Sequence, residues 1–312
     1  MTSLDTRNHA WSLLGTNLPP GTTSSEEALR LSGLAGWNVR KEPIYTSEGL
    51  AIAGKYATVR DVPGEERSEV LGIVGDQFHI VQNEDHIGYL DAFADEVGAT
   101  FEAAGTTRGA EETFITMKLP SMLRVLGDSD PHDLYVTALN SHVGSKSFTL
   151  MVTPVRLVCT NMQSVAIGNA QNVRRVRHTP GVSKIVVDEA RQTIDEMFTY
   201  LEDFQTTADI MARTPMSEAE FEERIRRGYG TNSTAPHVKA RMEVKIDELK
   251  QLFAEANTQD GIRNTAWAGY NAIVEFQDHF SETRGGDPYR ARALNSVLDT
   301  SAKRRALSLM TA

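Results

Sequence analysis

A single cysteine among 312 residues, Cys159, has no partner for an internal disulfide, which fits a reducing cytoplasm. No run of about 18 apolar residues occurs, so no membrane-spanning helix is expected. The opening stretch, MTSLDTRNHAWSLLG, lacks the basic-then-apolar plan of a secretory signal. Glycine-rich phosphate cradles are missing too. There is no GxxxxGK[ST] and no helix-opening GxGxxG, which argues against a nucleotide-hydrolysing motor. Gly72-Ile-Val-Gly75 has the form of a backbone-clamping GxxG, but it falls inside a strand pattern and opens no helix. The eight histidines show no paired ligand spacing, so neither a metal nor another cofactor is expected. Cys159 shares its stretch with His142 and His178, the makings of a thiol nucleophile. It also lies in the apolar run Val155–Cys159, where a free cysteine is most often inert core. Enzymatic chemistry is not expected.

The most informative lack is of acid. The chain holds 42 Asp and Glu and has a net charge of −10, yet none of them falls between Leu134 and Val187. The cations of that stretch are Lys146, Arg156, Arg174, Arg175, Arg177 and Lys184. A basic strip on an acidic protein points to an anionic partner, nucleic acid first. Overall acidity argues against indiscriminate coating of nucleic acid. Phosphate contacts are local, however, since charges are screened beyond about 8 Å at physiological salt. The three guanidiniums of Arg174, Arg175 and Arg177 suit phosphate oxygens. Lys146, between Ser145 and Ser147, would add a hairpin tip, and Arg156 is a weaker candidate. The alternative is a solvated loop neutralised by acidic helices of the same chain. Two aromatics lie in the stretch, Tyr135 and Phe148. On an open sheet face they would stack bases, at about 1–3 kcal/mol each; on the inner face they are packing, the commoner fate of strand aromatics. Lys303-Arg304-Arg305, with Arg290 and Arg292 upstream, is a second basic cluster that a solvated helix explains more simply.

The hydropathy pattern predicts an α+β chain. Residues 1–40 read as an extended arm and a helix capped by Thr23, Ser24 or Ser25, with Glu26 and Glu27 in its first turn. Residues 41–187 read as an antiparallel sheet of hairpins with helices packed on one face. The strand patterns are Trp37–Lys41, Leu50–Arg60, Val70–Val74, Thr100–Gly105, Glu112–Leu119, Leu134–Ser141 and Lys146–Pro154. Pro120 is expected to close its strand pair, and Asp128–Pro131 to turn the chain. Helices are expected over Glu84–Val97 and Asn161–Ile167. Residues 188–312 are helical: Asp188–Ala212, a capping-box helix opened by Ser217 and Glu220, Lys239–Ala256, Gly261–Phe280 and Asn295–Leu309.

With these residues in hand, the chain resembles a phage- and plasmid-borne family, domain of unknown function 932. The likeness rests on His9-Ala-Trp11, Leu14-Gly15-Thr16, Gly54-Lys55-Tyr56-Ala57, Leu71-Gly72-Ile-Val-Gly75 and Val81-Gln82-Asn83. It continues through Asn140-Ser141-His142, Thr153–Asn161, Arg177-His178-Thr179 and Thr265-Ala266-Trp267 with Asn271. Met162 stands where that pattern has a threonine. The family implies a setting on mobile DNA and no activity. The order of hairpins and helix also looks like the fold of phage single-strand annealing proteins, ring-forming proteins that need neither metal nor nucleotide to anneal. None of their motifs transfers residue by residue, and fold does not fix function. The expectation is therefore a cytoplasmic, non-enzymatic protein that binds single-stranded DNA as a homo-oligomer and has no membrane role. A phage factor binding a host protein through its acidic surface is the alternative.

Overall fold

Alternation of side chains along β-strands dictates where this chain buries itself. In the computed structural model the described residues are 10–86, 90, 91, 94, 95, 97–127, 130–157, 173–179, 190–230, 235–283, 287–298 and 301–312. A helix α1 (Ala10–Leu14), a strand β1 (Thr16–Thr22) and a helix α2 (Ser25–Leu31) come first. Strands β2 (Arg40–Tyr45), β3 (Ala51–Asp61) and β4 (Ser68–Gly75) form a three-stranded antiparallel sheet in that order. After them come β5 (Thr100–Thr107), β6 (Glu112–Val125), β7 (Asp130–Ser141), β8 (Phe148–Arg156) and β9 (Val173–Val176). With β1 they build a six-stranded antiparallel sheet, ordered β1-β5-β6-β7-β8-β9. The helices α3 (Ala190–Arg213), α4 (Glu218–Tyr229), α5 (Pro236–Glu255), α6 (Ala266–Glu275), α7 (Pro288–Leu298) and α8 (Ser301–Thr311) complete the chain. The chain is thus α+β. Among the described residues no helix is long and apolar enough to cross a membrane.

The large sheet is covered on both faces, not one. Leu134, Val136 and Ala138 of β7 and Phe148, Leu150 and Val152 of β8 join a core shared with Tyr200 and Phe204 of α3 and Trp267 of α6. The alternate positions Tyr135, Leu139, Met151 and Val155 face a second cluster built on Ala10, Trp11 and Leu14 of α1 and Ala293 of α7. This is why β7 and β8 read as nearly continuous apolar runs. Gly15 permits the tight entry of β1, because a Cβ there would stand 2.5 Å from the carbonyl oxygen of Ala104.

Several expectations are corrected. The N-terminal arm is α1 followed by β1, and β1 runs through Pro19 and Pro20 at the sheet edge, where a missing N–H is tolerated. Pro120 does not end its strand: β6 continues to Val125, with the ladder slipping between Lys118 and Met122. Asp130 and Pro131 open β7 instead of turning the chain. The last basic helix is two helices, α7 and α8, and Phe276–Phe280 forms a π turn after α6. Of the helix expected over Glu84–Val97, Glu84–His86 is a 3-10 turn, and 90, 91, 94, 95 and 97 are helical. Asn161–Ile167 lies outside the described residues.

Candidate nucleic-acid interface

The basic segment forms the last strand of the large sheet. β9 pairs with β8 through Phe148↔Val176, Thr149↔Arg175, Leu150↔Arg174 and Met151↔Val173. Val176 is buried, and the residues on either side of it, Arg175 and Arg177, are exposed. A period of two sends these two side chains to the face opposite Val176. Neither meets a carboxylate among the described residues. The Arg174 backbone sits in the same strand, but its side chain, like all of Lys184 and Cys159, lies outside the described residues.

The end of β9 is clamped to the turn that follows β4. His79 donates its backbone N–H to the His178 carbonyl at 3.1 Å, and the His178 ring donates through Nδ1 to the His79 carbonyl, also at 3.1 Å. The His178 ring packs on Phe78 with centroids 4.9 Å apart, and burial lowers its pKa. On the other side of this turn the Lys41 ammonium donates to the carbonyls of Asp76 (2.9 Å) and Phe78 (3.0 Å). Lys41 also stands 5.0 Å from the Tyr56 ring centroid. Lys41 and Arg177 therefore flank one turn, a neighbour relation that the sequence reading missed. Its only trace in the sequence is that Val81-Gln82-Asn83 and Arg177-His178-Thr179 both belong to the family-like segments.

Other members of the expected strip are placed elsewhere. Arg156 is fully buried: its Nε donates to Asp130 Oδ1 at 2.6 Å, and Trp267 Nε1 donates to the second oxygen at 2.6 Å. It neutralises a core carboxylate and offers nothing to a surface ligand. Tyr135 is 2% exposed and Phe148 is 0% exposed, so both are packing, and burial raises the Tyr135 hydroxyl pKa. Lys146 is partly exposed, but its ammonium lies 3.2 Å from the buried Glu112 carboxylate, which also accepts from Thr107 and Ser145. Of the eight expected contact residues, Arg175 and Arg177 are the two seen exposed without a carboxylate.

Behind the turn lies a buried polar knot. Asn83 Oδ1 accepts from Thr113 Oγ1 and from His142 Nε2, each at 3.1 Å, while Asn83 Nδ2 donates to the Leu34 carbonyl at 2.8 Å. Asn140 Nδ2 donates to Val81 at 2.9 Å. Burial, helped by nearby His178 and Arg60, lowers the His142 pKa to about 4. The knot ties the stretches 81–83 and 140–142 together behind the exposed cations. Among the described residues no group of three or more His, Cys, Asp or Glu is placed to hold a metal ion.

The helical half carries a surface of opposite character. A groove of about 500 Å³ is lined by Leu252, Phe276 and Phe280 together with Glu248 and Glu255. Compared with known families, the chain matches the one described as "Domain of unknown function (DUF932)" over residues 70–298. No curated protein and no solved structure matches it.

Proposed function

The chain belongs to the DUF932 family, and we propose that this member is a non-enzymatic DNA-binding protein of a phage or plasmid, acting on single strands as a homo-oligomer. One observation carries the reading: Arg175 on β9 and Arg177, the first residue past its end, are both exposed, in a stretch without acids, with no carboxylate partner among the described residues. Guanidiniums left open in this way donate N–H groups to phosphate oxygens in a planar fork. No bond is made or broken. Neutralising phosphates lets two complementary strands approach while their bases stay open for pairing.

The test is binding of a labelled oligo-dT of about thirty nucleotides, followed by anisotropy from about 50 mM salt upward. Each phosphate neutralised on a single strand contributes about −0.7 to the slope of log affinity against log salt. Arg175→Ala with Arg177→Ala is expected to weaken binding and make the slope shallower by about 1.4. Unchanged affinity and slope in the double variant would discard the assignment.

A second reading, capture of a host protein, is favoured by the groove lined by Phe280, 54% exposed, and the acids Glu248 and Glu255. It predicts no retardation of DNA at about 50 mM salt and a single co-purifying protein that Phe280→Asp releases.

A further inference from the structure

We propose that β4 is the strand through which two copies of this chain join, pairing antiparallel about a twofold axis so that two three-stranded sheets become one of six strands. The contact gives the homo-oligomer of the reading above its interface, and it rests on that part of the reading alone, not on DNA binding.

The two edges of the three-stranded sheet differ. Its order is β2-β3-β4, and among the described residues β2 and β4 each pair with β3 alone. An open edge offers unpaired backbone N–H and C=O groups to another strand, and charges or proline along it discourage such pairing. β2 is protected in this way, since Arg40, Lys41, Glu42 and Pro43 follow one another along it. β4 is not. Between Glu69 and Asp76 it reads Val-Leu-Gly-Ile-Val-Gly, without a charge or a proline.

The same strand turns two apolar side chains to solvent. Val70 is 68% exposed and Ile73 63%. They are three positions apart, so plain alternation would send them to opposite faces. The ladder shows why they share one: Thr58 pairs with Gly72 and Val59 with Val70, which leaves Leu71 as a bulge. Ile73, opposite Ala57, and Val70, opposite Val59, therefore lie on one face, while Leu71 is buried. Neither exposed residue belongs to a core cluster of the described residues.

A second copy of β4 fits this edge better than an unrelated strand because the edge is complementary to itself. With Val70 of one copy opposite Ile73 of the other, the apolar pair occurs twice, once on each side of the axis, as a twofold contact requires. Each such cross-strand pair contributes about 0.2–1 kcal/mol. The same register sets Arg67 opposite Asp76. Residues 40–76 are net negative, with five cations to seven acids, so the fit lies in how charges are placed and not in overall attraction. Glu42, Asp61, Glu65 and Glu69 are already answered by Arg40, Arg60 and Arg67. Glu66, in the β3–β4 turn, and Lys55, at the far end of the hairpin beside Gly75, are exposed and have no oppositely charged partner among the described residues. Antiparallel pairing brings the Glu66 end of each copy to the Lys55 end of the other.

The experiment measures the mass of the full chain by light scattering over a dilution series, with oligo-dT anisotropy run on the same samples. The parent is expected at twice the chain mass. Val70→Glu plus Ile73→Glu, both at exposed positions, should keep the parent's circular dichroism spectrum and raise the dimer dissociation constant at least tenfold. An equimolar mixture of Val70→Cys chains and Ile73→Cys chains should give, under mild oxidation, a linked pair that neither variant gives alone and that the parent, with its Cys159, does not give. A parent of single-chain mass at every concentration overturns both the contact and the homo-oligomer, whatever the anisotropy shows. A dimeric parent whose glutamate variant dimerises as tightly overturns the β4 contact and leaves the homo-oligomer standing. Linkage of Val70→Cys chains alone, or of Ile73→Cys chains alone, overturns the pairing of Val70 with Ile73.

Discussion

Removing the Arg156 guanidinium would strand the Asp130 carboxylate in the core, with the Trp267 indole as its remaining neutral donor. Arg156→Ala is expected to cost about 3–5 kcal/mol of stability in a urea titration, the usual penalty for breaking a fully buried ion pair from one side. A loss below about 1 kcal/mol would mean that water reaches the pair. Asp130→Asn together with Arg156→Met should be better tolerated than Arg156→Ala alone, because no ion is then left unpaired. Arg174, Arg175 and Arg177 stand out in the sequence because three guanidiniums fall within four residues. The burial of Arg156 and the pairing of Lys146 could not be read there, because their counter-ions, Asp130 and Glu112, lie in other strands, before the acid-free stretch. Local charge counting cannot see a partner brought in by strand pairing.

Helices announced themselves where their signals are short-range. Ser24 caps α2, and Ser217 with Glu220 closes the capping box of α4, both as the spacing predicts. Thr265 does the same for α6, accepting from the Ala268 N–H at 3.1 Å. Thr265→Ala is expected to lower stability by about 1 kcal/mol in the same titration. Since α6 carries Trp267, the loss should be smaller in an Asp130→Asn background, and identical losses in both backgrounds would show that cap and indole act independently. Strand limits were harder. β1 contains two prolines and pairs with β5 far along the chain, Thr16 opposite Ala104, so nothing local marks it as a strand. β6 passes through Pro120 because the ladder is interrupted between Lys118 and Met122, so the missing N–H falls where pairing with β7 shifts register. The Gly72 position has a comparable long-range cause: a Cβ would lie 2.5 Å from a Val143 methyl, so β4 packs on the β7–β8 turn only with glycine.

At the scale of the whole molecule, acid sensitivity should follow from two buried histidines. His132 and His142 are each lowered from 6.5 to about 4, desolvation being the first cause in both. Between these values the unfolded chain binds protons that the folded one refuses. The contribution to stability is thus complete above about pH 6.5 and is lost as pH falls toward 4. Melting temperature should drop on going from about pH 7.5 to about pH 5, and His142→Gln should flatten part of that fall. A melting temperature indifferent to pH over this range would contradict the burial of both rings. The α+β class was readable from periodicity. The coverage of the large sheet on both faces was not, since α1 and α7 meet over it from opposite ends of the chain.

That arrangement has a consequence for how the protein is made. The bond between Trp267 and Asp130 spans 137 positions, and a ribosome adding roughly 5–20 residues per second needs on the order of ten seconds to deliver the indole. Throughout that interval the nascent β-strands lack the α6 part of their helical cover, and until α3 is also made Val136, Leu150 and Val152 are open to solvent. Chaperone engagement during translation should therefore be concentrated in the window after β8 emerges and before α6 does, and synonymous codons that slow this window should lower the soluble yield.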